Sequence, residues 1–164
     1  HDRPSSWACI GGFLFTRLSL PFVSSRVTQN DRNLWPFLHD LSIMRQKFES
    51  TPSPDENNPR YAPHKYEAVI LNRVLPHQTN QAHGARELSF LETLDGVPVF
   101  NMRHLIDMLI ERGQKGAQFV DFGFEGGYLT RLNLRDALAA DAELMQRYNM
   151  PSMCSEHLMP PTPE

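Results

Sequence analysis

The sequence predicts an α+β fold: a small, partly open β-barrel capped by helices, with a helical insert after the first strand. Three features point there. Short runs of aromatic and aliphatic residues outnumber the helical stretches. One capped helical segment, Asn101 to Arg112, sits alone among those runs. The element order reads strand, helix, strand, strand, helix, strand, hairpin strand, helix.

Trp7 to Leu18 is predicted as a glycine turn at Gly11-Gly12 followed by a strand, Phe13-Leu14-Phe15, which Pro21 ends. Asn33 to Glu49 reads as a helix. Asn33 is a suitable cap, Pro36 lies in the tolerant first turn, and Leu34, Phe37, Leu38, Leu41, Met44 and Phe48 form one apolar stripe. Four prolines between Ser50 and His64 mark a solvated loop. Residues 33–65 are therefore predicted as an insert of one helix and a proline-rich loop, within a domain covering 1–158.

Tyr66 to Val74 and Leu88 to Leu94 read as strands, the second ended by the turn dipeptide Asp95-Gly96. Val97-Pro98-Val99 is a short extended piece. Asn101 caps the helix from Met102, and Gly113 is predicted to stop it. Ala117 to Phe124, a turn at Glu125-Gly126-Gly127, and Tyr128 to Leu132 form a hairpin. A last helix runs from Leu134 to about Tyr148, and residues 159–164 form an extended, proline-rich tail.

The chain has 164 residues, enough for one domain that buries roughly 70% of the surface its unfolded chain exposes. Sixteen basic against 19 acidic residues give a net charge of −3, with no basic run of the kind nucleic acid attracts. No apolar run reaches the roughly 20 residues of a membrane span. The chain begins at His1, which is expected of a processed protein or a piece of a longer one. Cys9 and Cys154 match no zinc or redox spacing. A long-range disulfide or two reduced, half-buried thiols remain, and the compartment rule favours the thiols.

No catalytic residue, metal ligand set or cofactor site is predicted. No serine lies in a Gly-x-Ser-Gly turn, and His104 and Asp107 share a helix without a serine motif. The seven histidines include no His-x-x-x-His, and a Cys154–His157 thiol–base pair has no third group.

Ile10-Gly11-Gly12-Phe13-Leu14-Phe15, then Asp95-Gly96-Val97-Pro98-Val99, the capped helix, Gly116 to Phe122 and a glycine turn together resemble the PDZ domains of Deg/HtrA-type serine proteases. The closing Tyr148-Asn149-Met150-Pro151-Ser152 and Ser155-Glu156-His157-Leu158 are similar to the end of plant- and organelle-type members. The resemblance implies a non-catalytic PDZ-like domain, with any protease domain on a preceding segment. It implies binding of peptide or protein C-termini and contacts in a homo-oligomer or larger assembly. Its alternative is an assembly domain whose groove is filled by its own insert or by a neighbouring subunit. A mitochondrial or other organellar setting goes with that kinship.

On this reading Gly11-Gly12 is the carboxylate-binding turn, whose backbone N–H groups hold a peptide's end. Two glycines also suit a simple strand bend. Ile10, Phe13, Leu105 and Met108 are expected to line an apolar pocket, with Leu14 and Phe15 on the groove strand. Leu105 and Leu109 are expected to anchor the helix, while His104 and Met108 face the groove; a solvent-facing His104 is the competing expectation. Arg17 and Arg103 are the nearest basic groups.

Overall fold

The computed structural model describes residues 6–18, 34–51, 66–77, 88–155 and 158. The predicted tail, 159–164, and most of the proline-rich loop lie outside them. Among the described residues, seven antiparallel strands form one open sheet. They are β1 (Trp7–Ile10), β2 (Phe13–Arg17), β3 (Val69–Val74), β4 (Ser89–Leu94), β5 (Val97–Pro98), β6 (Phe119–Phe124) and β7 (Tyr128–Asn133). The order is β1-β2-β3-β4-β6-β7, with β5 paired to β4. Four helices accompany it: α1 (Leu34–Glu49), α2 (Met102–Gln114), α3 (Leu134–Ala139) and α4 (Asp141–Arg147).

The predicted first strand is two strands. Gly11 and Gly12 take φ of 55° and 87°, the left-handed pair that a tight hairpin turn requires, and Ile10 pairs with Phe13 across it. The helical insert therefore follows the second strand rather than the first. The predicted single last helix is also two, because the chain tightens at Ala140, whose N–H is shared by the carbonyls of Asp136 and Ala137. The helix predicted to stop at Gly113 continues to Gln114. The chain reverses at Gly116, φ 72°, where the Ala117 N–H returns to the Arg112 carbonyl.

The consecutive run Ala68-Val69-Ile70-Leu71 is apolar throughout because the sheet is covered on both faces. Val69 and Leu71 join the larger core with α2, α3, Phe13, Phe15 and Phe122. Ala68 and Ile70 face the other way, into a smaller core with Phe90 and with Met44 and Phe48 of α1. Phe48 stacks on Tyr66 at 4.3 Å and meets Phe100 edge-on at 5.1 Å. The insert helix thus packs on the sheet face opposite α2.

Local chemistry fixes α2 at both ends. Asn101 Oδ1 accepts the His104 N–H at 2.8 Å. Near the other end Arg112 Nε donates to Asp95 Oδ2 at 2.9 Å, while Asp95 Oδ1 accepts the Asp121 N–H. One carboxylate in the β4–β5 turn so ties the helix to the sheet.

Candidate peptide-binding groove

Strand β1 is one end of the sheet. Its inner edge pairs with β2, and its outer edge lies beside α2. A segment of the chain's own tail already sits there. The Cys9 N–H donates to the Met153 carbonyl at 2.7 Å, and the Ser155 N–H donates to the Trp7 carbonyl at 3.0 Å. Ala8 and Cys154 form an antiparallel bridge. The Ser155 hydroxyl accepts the Trp7 N–H at 2.9 Å and donates to the Trp7 carbonyl at 3.1 Å. Beyond it Leu158 is buried in the main core, and Arg103 donates to its carbonyl at 3.2 Å.

Beside this added strand an apolar pocket of about 450 Å³ remains open. Ile10 of β1 and Ile106, Leu109, Ile110 and Gly113 of α2 wall it, with Leu138 above and Met153 of the tail alongside. Asp141 is the one charged residue in the lining.

The predicted site residues separate into two groups. Ile10 lines the pocket. Phe13 and Phe15 share a face as predicted, but it is the core face: both are fully buried, with ring centroids 6.0 and 5.1 Å from Phe122. Leu14 points the other way on a strand whose two edges are both paired, by β1 and β3. Both edges of β2 are thus taken, whereas β1 has one edge beyond its pairing with β2. Leu105 is core as expected, and Met108 joins it. The helix face turned to the pocket is instead Ile106, Ile110 and Gly113 with Leu109, a stripe at three- and four-residue steps that the sequence displays equally well. His104 is neither groove nor solvent. It is buried, its Nδ1 accepts the Phe100 N–H at 3.2 Å, and burial holds its pKa below the ordinary histidine value.

Gly11 and Gly12 lie at the end of β1 away from the C-terminal side of the tail. A strand laid antiparallel on β1, as the tail is, carries its C-terminal side past Trp7, the opposite end from the glycines. A Cβ on Gly11 would meet Ala137 Cβ and Leu132 Cδ1 at 3.0 Å, so the turn is packed shut. The cation at the Trp7 end is Arg103; Arg17 pairs with Glu67 at 2.9 Å.

A model of the PDZ domain family matches residues 1–157. The chain belongs to the PDZ domain family. No curated protein matches it.

The thiols of this PDZ domain are both free. Burial pushes Cys9 up to about 11, against a hydrogen bond from the Gly12 backbone, and burial raises Cys154 as well. Neither is a nucleophilic thiolate at neutral pH. His157, three residues beyond Cys154, lies outside the described residues. Among those residues no three His, Cys, Asp or Glu side chains gather as a metal site, and no helix is long and apolar enough to cross a membrane.

Burial alone pushes the Asp141 carboxyl up to about 6. Its folded pKa lies above the ordinary 3.8, so its contribution favours folding at low pH and is lost as pH rises through 6. Asp141→Asn should therefore be more stable than the parent at pH 8, with the difference closing between pH 6 and 4. The rise from 3.8 to about 6 converts to about 3 kcal/mol at most; the side chain is only half-buried, so about 1 kcal/mol is expected after solvent screening. Urea unfolding of both proteins at pH 4, 6 and 8 measures it.

Proposed function

We propose that this PDZ domain recognises an extended protein segment by strand addition along β1, between β1 and α2, and that its own tail caps the site until a partner takes its place. The observation that carries the reading is the tail itself. Met153 to Ser155 make with Cys9 and Trp7 the main-chain hydrogen bonds that a bound peptide strand makes in β-augmentation. The pocket beside that strand supplies the space for side-chain selection. The segment runs antiparallel to β1 and carries its C-terminal side toward Arg103, which suits a chain end there as well as an internal stretch. In the wider setting we place the domain in a Deg/HtrA-type serine protease, as a non-catalytic module that presents or restrains protein substrates. The resemblance of the Ile10 to Phe15 and Tyr148 to Leu158 segments supports that parentage.

The self-capped state favours the assembly reading only if the tail is exchanged between copies. The insert helix packs on the opposite sheet face and does not fill this groove. Leu158→Glu places a charge in the core site of Leu158 and should free the tail. The Cys9 amide, bonded to Met153, should then exchange with solvent roughly tenfold faster or more. Adding a capped peptide of residues 151–158 should restore its protection. Unchanged exchange at Cys9, or peptide-induced protection at the β7 edge instead of β1, would overturn the reading. A concentration-dependent mass in the unmutated chain would mark tail exchange.

A further inference from the structure

We infer that the Asp141 end of the groove is a cation subsite, which takes a lysine or arginine side chain carried by an extended partner segment lying on β1. The inference rests on the strand-addition reading above and names the chemistry that site selects.

Asp141 is the first residue of α4, where a carboxylate favours the positive end of the helix, but it makes no capping hydrogen bond there. One oxygen, Oδ1, is buried and finds no hydrogen-bond partner among the described residues. Burying such a group unpaired is unfavourable, and burial alone raises its pKa. A donor supplied by a ligand removes that penalty, and a charged donor does so most strongly.

The surroundings fit one class of donor. Apart from Asp141 the charged side chains are missing from the pocket lining, and Ile106, Ile110 and Leu138 present apolar wall. A lysine or arginine stem lies against such walls along its methylenes and keeps its charged head at a polar end. The tail shows which strand position reaches it. Met153, hydrogen-bonded through its carbonyl to Cys9, lines the same pocket as Asp141. A partner strand in the tail's place therefore brings the residue at the Met153 position to the pocket that Asp141 also lines. The two ends of the groove also differ in charge. Arg103 holds a carbonyl at the C-terminal side of the bound strand, and Asp141 stands toward the N-terminal side. A partner segment basic at its N-terminal side matches that polarity.

The test uses the whole chain carrying Leu158→Glu, titrated by fluorescence anisotropy with three labelled octapeptides. Each has the tail sequence of residues 151–158, capped at both ends, with serine for the cysteine and Met, Lys or Glu at the Met153 position. The lysine peptide should bind about tenfold more tightly than the methionine peptide and the glutamate peptide about tenfold more weakly. In the same chain with Asp141→Asn the three should bind alike. Equal binding of all three to the Asp141 protein would overturn the subsite and leave the groove standing. Binding by none would overturn the groove and the subsite together. A second measurement avoids the Leu158 change: Met153→Lys and Met153→Glu are made in the otherwise unaltered chain. The lysine variant should unfold at the higher urea concentration, and Asp141→Asn should abolish the difference. A difference that survives Asp141→Asn would also sink the proposal.

Discussion

Phe122→Ala should destabilise the domain by about 3–5 kcal/mol, the range for truncating a buried aromatic. Phe122 is fully buried on β6 and meets Phe13 edge-on and Phe15 at a tilt, so three rings from two strands that are not paired with each other share one centre. Aromatic pairs of this geometry add about 0.5–1.5 kcal/mol beyond burial. Against a total stability of about 5–15 kcal/mol for a domain, the loss leaves a marginal protein. Urea unfolding followed by far-ultraviolet circular dichroism measures it. A loss under about 2 kcal/mol would show that the ring trio is not the keystone of the main core.

Gly11→Ala is the second large effect, and Gly96→Ala is its control. Both glycines sit at positive φ, 55° and 80°, in two-residue turns. A left-handed alanine is strained by about 1–2 kcal/mol. At Gly96 nothing lies within 4 Å of the new Cβ, so strain is the whole expectation. At Gly11 the Cβ comes to 3.0 Å from Ala137 Cβ and Leu132 Cδ1, on a helix and a strand that cannot both retreat. Overpacking of that kind adds typically about 1–3 kcal/mol. Gly11→Ala should therefore lower stability by about 2–5 kcal/mol in urea melts, and clearly more than Gly96→Ala. Equal losses would mean that the hairpin turn stands clear of α3.

Some of this was readable because the physics is local. Asn101 caps α2 through its own side chain, and Asp95-Gly96 and Glu125-Gly126-Gly127 turn the chain where glycine's backbone freedom is needed. The strand at Val69 to Val74 was readable from its short length and its β-branched Val69, Ile70 and Val74. That its two faces feed two separate cores was not readable, because nothing in the run says what lies above or below it.

The groove was harder. Period-2 alternation puts Phe13 and Phe15 together but is silent on whether their face is pocket or core. Helical period names several overlapping stripes on α2, and Leu105 with Met108 is as regular as Ile106 with Ile110. The rotation of the helix about its axis was chosen by its docking, clamped at Arg112 to Asp95 and packed on the β1–β2 hairpin. The tail gave no periodic signal, since a strand of three residues is made by its partner's hydrogen bonds and not by its own composition. Nothing in the sequence around Asp141 sets it apart; its buried oxygen and its place at an apolar pocket do.

By itself, then, the sequence determined the turns, the caps and most element positions, because each depends on residues a few places apart, and it carried the PDZ kinship through the order of such motifs along the chain. The tertiary structure alone decided which strand has the edge beside α2, what occupies that edge and which carboxylate ends the pocket. Those properties belong to pairs such as Cys9 with Met153 and Ser155 with Trp7, which the chain separates by more than 140 residues and only packing brings together.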